Sequence, residues 1–151
     1  MTPIRCRVAG VFVAVNEQST SPVVLLDLDG DDRCLPIYIG LWEAISIYNA
    51  VRNEVPPRPL THDLFTEFLK TFHIVLLSLT IDTMDEGVYY GKLLLQGPDR
   101  EELMDCRPSD GIALALRSDA EILLEDPVAQ SSPIPRSDLP DLIDLATYLY
   151  G

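Results

Sequence analysis

The sequence has few of the residues that several common functions require. Only two of its 11 basic residues are lysine, whereas 24 residues are acidic, and the formal net charge of the 151-residue chain is −13. Binding to nucleic acid needs clustered Lys and Arg that neutralise phosphates, so the charge alone argues against that function. The two histidines, His62 and His73, are too few for a histidine-rich zinc site.

Cysteines and long apolar runs are also scarce. The three cysteines are far apart and never form a Cys-x-x-Cys pair, so we expect Cys6, Cys34 and Cys106 to be buried, reduced thiols. No apolar run approaches the ~20 residues that cross a bilayer, and the first residues do not have the layout of a signal peptide. The sequence therefore predicts a cytoplasmic protein that does not enter a membrane.

The chain has enough apolar residues for one folded domain. They make up 47% of the sequence, and its length supports one core without disulfides or structural metals. Aspartate outnumbers glutamate by 15 to 9, and nine of the basic residues are arginine. An acidic surface with little lysine is typical of proteins adapted to a very salty cytoplasm, and we take such adaptation as a hypothesis.

Hydrophobic periodicity predicts three strands, two helices, two strands, a helix and a strand, in that order. This order indicates an α+β fold: a single compact domain with a mixed or largely antiparallel sheet, three core helices and a C-terminal helix. We expect the domain to cover residues 1–128, followed by 129–151, where a Pro- and Ser-rich linker (126–136) leads to an amphipathic helix (137–150). The predicted strands span 4–15, 22–29, 33–39, 74–83, 88–95 and 121–124, and the predicted core helices span 41–51 and 61–72 and begin again at 108.

One acidic segment imitates two known kinds of site. Asp27-Leu28-Asp29-Gly30 follows an apolar strand, as does the opening motif of haloacid-dehalogenase-type phosphatases. Here another strand follows, where that fold needs a helical crossover. A calcium loop fails as well, because its twelfth position is Tyr38, where an EF-hand needs a bidentate Glu. We therefore interpret the segment as an acidic hairpin turn.

Two predicted helix starts share Arg-Pro, then a hydroxyl residue, then Asp. A helix N-terminus offers free N–H groups, and an Arg beside it adds bidentate phosphate binding. A nearby Asp can bind a divalent cation, and a His can move a proton near neutral pH. Alternatively, each Arg and Asp form an ion pair that fastens the loop to the helix, with Thr61 and Ser109 as caps. The two segments are Arg58-Pro59-Leu60-Thr61-His62-Asp63 and Arg107-Pro108-Ser109-Asp110.

Glu43 is a third candidate. It is the only charge between Arg33 and Arg52 and falls in the first turn of a predicted helix, beside Trp42. In that position a carboxylate stabilises the helix dipole by ~0.3–1 kcal/mol. It can also serve as a metal ligand or a general base. His73 stands at the start of a predicted strand, and we expect a structural role for it.

These residues fall in three blocks with a recognisable order and spacing: 21–26 with 35–40 and 43–44, then 58–64, then 105–115. From about residue 8 to about residue 128, the blocks resemble the bifunctional nuclease domain family of bacteria, archaea and plants. Gly111 stands where that family usually has Ala. The resemblance implies an α+β domain that assembles at least as a dimer and acts as a nuclease on both DNA and RNA.

On this resemblance we base a hypothesis of phosphodiester hydrolysis assisted by Mg²⁺ or Mn²⁺, with no organic cofactor. It requires the three blocks to converge on one cleft. The catalytic candidates are Glu43, His62, Asp63 and Asp110: His62 would be the general acid or base, and the three carboxylates candidate metal ligands. The substrate-binding candidates are Arg58, Arg107, Thr61 and Ser109, with the two arginines on phosphate oxygens.

A different class of function stays open, namely an oligomeric binding or regulatory module for an anionic small molecule or a protein partner, without catalysis. Arg and Asp side chains that satisfy one another within each helix start would favour it. The charge does not exclude a nuclease, since in ~1 M salt the Debye length is only ~3 Å. Because such salt also removes most counterion-release affinity, we expect weak binding, dependence on metal and tolerance of salt.

Overall fold

The computed structural model describes residues 2–151, and the part of the chain it describes folds into eight strands and five α-helices. A short 3₁₀ helix, Arg136–Asp138, adds one more turn. The elements are β1 (Ile4–Val15), β2 (Thr20–Leu28), β3 (Cys34–Tyr38), α1 (Leu41–Val51), α2 (Thr61–Thr71), β4 (Val75–Asp85), β5 (Val88–Gln96), β6 (Glu101–Cys106), α3 (Pro108–Ser118), β7 (Glu121–Leu124), α4 (Asp126–Ser131), β8 (Leu142–Asp144) and α5 (Leu145–Tyr150).

The strands form one sheet in the order β3-β2-β1-β7-β4-β5-β6. β1 is long enough to pair with β7 through Ile4–Cys6 and with β8 through Phe12–Ala14. The pairing of β4 with β7 is parallel, and the other described pairs are antiparallel. The predicted α+β class with a largely antiparallel sheet is therefore confirmed.

The core lies between this sheet and a layer of helices. Ile47 of α1 and Ile112 of α3 are fully buried against sheet residues such as Leu79. At Gly111 the helix α3 approaches the sheet closely, since a Cβ there would lie 2.5 Å from a methyl of Leu79 and 3.0 Å from the Cys106 sulfur. An alanine, which the family resemblance implies at that position, would therefore require the Leu79 side chain to shift.

The C-terminal part differs from the prediction. Where a linker was expected, α4 buries Val128 and Ala129, and Ile134 pairs with Cys34 at the edge of the sheet. The single helix expected over 137–150 is instead the 3₁₀ turn, β8 and the short helix α5. This segment packs onto β1, which supplies backbone partners that hydrophobic periodicity does not reveal.

Smaller corrections concern turns and thiols. His73 does not open a strand: it has a positive φ of 59° just after α2, and its N–H donates to the Lys70 carbonyl. Cys6 and Cys34 are buried and Cys106 is partly buried, all as free thiols. Burial raises the pKa of Cys6 to about 12 and that of Cys106 to about 11.

The topology brings three helix starts together. Helix α1 follows β3 and α3 follows β6, so these two helices come from opposite edges of the sheet, and they meet over it with α2 beside α3. None of the helices among residues 2–151 is long and apolar enough to cross a bilayer.

Candidate active site

The N-termini of α1, α2 and α3 meet at one cleft, which we call the His62 cleft. Its volume is about 430 Å³. Each of the three helix N-termini contributes a positive partial charge to this space, which Glu43, Asp110 and Arg107 also line. The cleft is lined by Trp42, Glu43, Ile45, Ser46, Leu60, Thr61, His62, Arg107 and Asp110.

Arg107 is the cation of this cleft and the residue that precedes α3. Its Nε and one terminal nitrogen donate to the two carboxylate oxygens of Asp110, at 3.0 and 3.1 Å. The other terminal nitrogen donates to Glu43 at 3.2 Å. The remaining N–H groups of the guanidinium are free to bind a ligand, and the side chain is 64% exposed. The two Asp110 bonds raise the pKa of Arg107, so it stays charged.

His62 lies between two partners, and each ring nitrogen has one. Nε2 is 2.9 Å from Asp110, and Nδ1 is 2.6 Å from the hydroxyl of Ser46 on α1. Because Nε2 faces a carboxylate, it carries its proton and donates it; in the neutral ring Nδ1 then accepts from Ser46. Ser46, His62 and Asp110 thus form a Ser-His-Asp chain of hydrogen bonds, with the ring nitrogens interchanged relative to the arrangement in serine proteases.

Asp110 is the charged end of this chain. Burial by itself raises the pKa of a carboxyl group, but the hydrogen bonds from Arg107 and His62 outweigh it, and the pKa of Asp110 lies below its ordinary value. The carboxylate is therefore ionised at neutral pH. It accepts the Nε2 proton of His62 and so fixes the orientation of the ring.

Asp63 is not part of the cleft. Its Oδ1 accepts from Nε of Arg117 at 2.8 Å, and its Oδ2 accepts from the backbone N–H of Leu60 at 3.1 Å. Both charged side chains are buried, 10% exposed for Asp63 and 8% for Arg117. Burial raises the pKa of Asp63, yet these hydrogen bonds outweigh it and the net pKa is lowered. The ion-pair interpretation of this helix start holds for Asp63, but with Arg117 of α3 instead of Arg58.

The substrate-binding candidates are divided in the same way. Thr61 lines the His62 cleft, but it is the first residue of α2 and not its cap; Asp63 caps the helix through Leu60. Ser109 is buried within α3 and lines a neighbouring groove together with Arg107. Arg58 is exposed in the loop before α2 and does not line the cleft.

The three carboxylates predicted as metal ligands do not assemble. Asp63 faces Arg117, while Glu43 and Asp110 share the guanidinium of Arg107 between them. Within residues 2–151, no group of three or more His, Cys, Asp and Glu side chains is arranged to hold a metal ion. The arrangement thus does not fit the predicted ligand set, and dependence on Mg²⁺ or Mn²⁺ stays a prediction.

Comparison with known proteins identifies the family to which the chain belongs. The model of the bifunctional nuclease domain matches residues 23–137, which include α1, α2, α3 and the whole cleft. The chain belongs to the bifunctional nuclease domain family. The match also covers α4, beyond the boundary at 128 that the sequence predicted.

Relatives of this bifunctional nuclease domain come from bacteria and plants. The uncharacterized protein Rv1829 of Mycobacterium tuberculosis is 38% identical over 118 residues, which are 78% of this chain and 70% of the relative. Bifunctional nuclease 1 of rice, Oryza sativa subsp. japonica, is 29% identical over 113 residues, 73% of this chain but 34% of the rice protein. The chain therefore spans about a third of the rice protein.

Sequence reasoning missed two residues of this bifunctional nuclease domain. Ser46 lies three positions after Glu43, so helical spacing places both on one side of α1, and this was a usable signal. Arg117 had no such signal: its partner Asp63 is 54 positions away. Arg117 also donates to the backbone carbonyl of Ser46 at 3.2 Å. It therefore links Asp63 to α1, the helix that carries the Ser46 hydroxyl.

Proposed function

We propose that this chain hydrolyses phosphodiester bonds of DNA and RNA, and that the His62 cleft is its active site. Membership of the bifunctional nuclease domain family and the name of the rice relative support the reaction class. The observation that carries the choice of site is the hydrogen-bonded chain Ser46–His62–Asp110, which ends on Arg107 inside a cleft formed by three helix N-termini.

Arg107 holds the phosphate in this proposal. Its free N–H groups donate to nonbridging phosphate oxygens, as guanidinium groups do in bidentate phosphate recognition. The helix N-termini add positive potential at the same place. When a phosphate binds to the guanidinium, the hydrogen bonds of Arg107 to Asp110 and Glu43 weaken. The carboxylate of Asp110 then interacts mainly with His62 and stabilises its charged form.

His62 takes up the proton. As the oxygen of an attacking water bonds to phosphorus, the water loses a proton to the Ser46 oxygen, and the hydroxyl proton of Ser46 passes to Nδ1 of His62. Ser46 is unchanged and His62 becomes an imidazolium. The P–O ester bond breaks, and the departing oxygen takes a proton from solvent. The anionic Asp110 at Nε2 stabilises that cation. Ser46 is 7% exposed, and this burial favours a proton relay over direct attack of its hydroxyl on phosphorus.

Replacement of Arg107 by Lys tests the proposal. Lysine keeps the charge but loses the fork that binds two oxygens, and a hydrogen bond to a charged group is worth ~1.5–3 kcal/mol. We therefore expect Arg107→Lys to cleave about 10- to 150-fold more slowly. Arg100→Lys is the matched control, because Arg100 is also exposed (77%, against 64% for Arg107) and pairs with Glu102 away from the cleft.

The assay uses labelled single-stranded DNA and RNA, with and without Mg²⁺ or Mn²⁺, at low and at multimolar salt. Equal cleavage rates for both arginine variants would show that the His62 cleft is not the active site. A rate that EDTA does not change would contradict the predicted metal dependence, while leaving the cleft in place.

A second candidate is a binding or regulatory module for an anionic ligand or protein partner. One observation favours it: Arg107 is already paired with Asp110 and Glu43 inside the protein, as expected of a helix start held by ion pairs. This function predicts binding of nucleotides or oligonucleotides without cleavage under any of these conditions. Assembly as a dimer or larger oligomer stays a prediction, which light scattering would test.

A further inference from the structure

A larger groove adjoins the His62 cleft at Arg107. It has a volume of about 870 Å³ and lies between β3, the turn that joins β4 to β5, and the start of α3. Arg107 lines both spaces, so a chain that passes its phosphate over this residue can lie in both. The volume falls in the upper part of the ~300–1,000 Å³ range of ligand pockets.

Charge sets this groove apart from the rest of the molecule. Although the chain has 24 acidic residues, no carboxylate lines the groove, and Arg107 is its one charged residue. A neighbouring cavity that shares Arg107 is lined by Asp82, Asp85 and Asp105, with Lys92 paired to the first and last of them. Its carboxylates outnumber its cations, so a polyanion is favoured in the groove over that cavity. We call the larger space the carboxylate-free groove.

The groove has aromatic walls and an unpaired hydroxyl. Tyr38, at the end of β3, is 53% exposed, and Tyr89 of β5 lines the same groove. Ser109 lines it at the first turn of α3 and is 6% exposed. The hydroxyl of Ser132, on the same groove, is buried and has no hydrogen-bond partner among the described residues. Flat rings and hydroxyl groups next to a guanidinium suit bases and phosphates.

We infer that the carboxylate-free groove binds the unpaired nucleotides of a single-stranded nucleic acid, next to the phosphate held by Arg107. The inference rests on the proposed nuclease function. Bases stack on Tyr38 and Tyr89, and Ser109 at the N-terminus of α3 donates to the adjoining phosphate. Stacking on tyrosine tolerates every base, which fits a protein that acts on both DNA and RNA.

A duplex does not fit the same surface. Double-stranded DNA carries one charge per ~1.7 Å of axis, on two strands. The acidic cavity shares Arg107, Val88 and Tyr89 with the groove, so the added charge of a second strand near Arg107 would lie close to its carboxylates. A single strand avoids them, because its unstacked bases enter the groove while its phosphates pass over Arg107. The protein therefore selects single strands over duplexes.

The test measures binding and cleavage in the same samples. Fluorescence anisotropy follows a short labelled oligothymidylate and a hairpin duplex of the same length, and gel electrophoresis then shows whether each is intact. Tyr38→Ala removes the platform, and Tyr38→Phe keeps it. Tyr90→Ala is the matched control, since Tyr90 is 49% exposed but lines the acidic cavity instead.

We expect tighter binding of the single strand than of the duplex. A stacked base is worth a factor of about 5 to 150 in affinity, so Tyr38→Ala should weaken single-strand binding by that factor. Tyr38→Phe and Tyr90→Ala should leave it unchanged. If Tyr38→Ala binds the oligothymidylate more weakly but the wild type cleaves neither probe, the groove binds single strands and the proposed nuclease function is wrong.

Three results would overturn the groove. One is equal affinity of Tyr38→Ala and Tyr90→Ala for the oligothymidylate, with cleavage intact. Another is a wild type that binds neither probe, or binds the duplex as tightly. The third is a loss of self-association in Tyr38→Ala with unchanged oligonucleotide affinity, which would make this surface a contact between copies of the chain.

Discussion

Replacement of Asp63 by Ala should act on the stability of the fold and only secondarily on chemistry. The carboxylate is buried with Arg117, and removal of one partner of a buried ion pair costs ~3–5 kcal/mol because the other charge is left unpaired. The same carboxylate accepts the backbone N–H of Leu60 at the start of α2, and loss of such a cap costs ~1 kcal/mol. Together they amount to ~4–6 kcal/mol, against ~5–15 kcal/mol for the total stability of a domain.

Urea unfolding followed by circular dichroism measures this loss. Fluorescence is the poorer probe, since the single tryptophan, Trp42, is 79% exposed in the folded state. Asp99→Ala, at an exposed loop position, is the control and should change stability by less than ~0.5 kcal/mol. Joint replacement of Asp63 by Leu and Arg117 by Met should regain much of the loss, because no buried charge is left alone.

One result would refute this reasoning. If Asp63→Ala were as stable as Asp99→Ala and yet failed to cleave, Asp63 would belong to the chemistry, as the sequence hypothesis had it. An unstable but partly active Asp63→Ala, measured at low temperature, would support the structural role.

Three further predictions concern acid, helix start and salt. The pKa values of Asp63 and Asp110 are lowered by folding, so their stabilising effect is complete above the unfolded value of ~3.9 and is lost as pH falls through the folded values. Thermal melts should therefore fall steeply in acid, and less steeply in Asp63→Asn; identical profiles would contradict this. In Gly40→Ala, the added methyl group should displace the Glu43 carboxylate and break its ion pair with Arg107. Because an exposed ion pair is worth only ~0–1 kcal/mol, we expect a larger change in the cleavage rate than in the melting temperature. Cleavage should persist in ~1 M KCl, and activity confined to dilute buffer would refute salt adaptation.

Much of the fold follows from local patterns in the sequence. The bounds of β1, α1 and β7 agree with the periodicity, because these elements have continuous apolar faces. The C-terminal segment did not follow, because Leu142, Ile143, Ala146 and Leu149 fit helical spacing as well as they fit a strand and a short helix. The partner strand decides between the two: β1 extends past β7 and leaves an edge open to β8.

The candidate site was predictable where the sequence repeats a chemical pattern. Glu43, His62, Arg107 and Asp110 each stand at a helix start, and these starts converge as the hypothesis required. Asp63, next to His62 in the sequence, lies outside the cleft because it turns to Arg117 of α3, a contact that spacing along the chain does not reveal.

Ser46 and Arg117 mark the limit of this reasoning. The serine contacts His62 from 16 positions away, and the arginine reaches Asp63 from 54. Both contacts arise from the packing of α1, α2 and α3 against one another, which one-dimensional periodicity does not specify.

The most direct test of the central claim compares the two histidines of the chain. His62→Asn removes the proton carrier of the cleft, whereas His73→Asn changes an exposed residue after α2 whose positive φ asparagine tolerates. General acid–base catalysis contributes ~10²–10⁴-fold, so cleavage of labelled single-stranded DNA by His62→Asn should fall by that factor, while His73→Asn cleaves at the wild-type rate. A His62→Asn variant that cleaves as fast as His73→Asn would contradict the account.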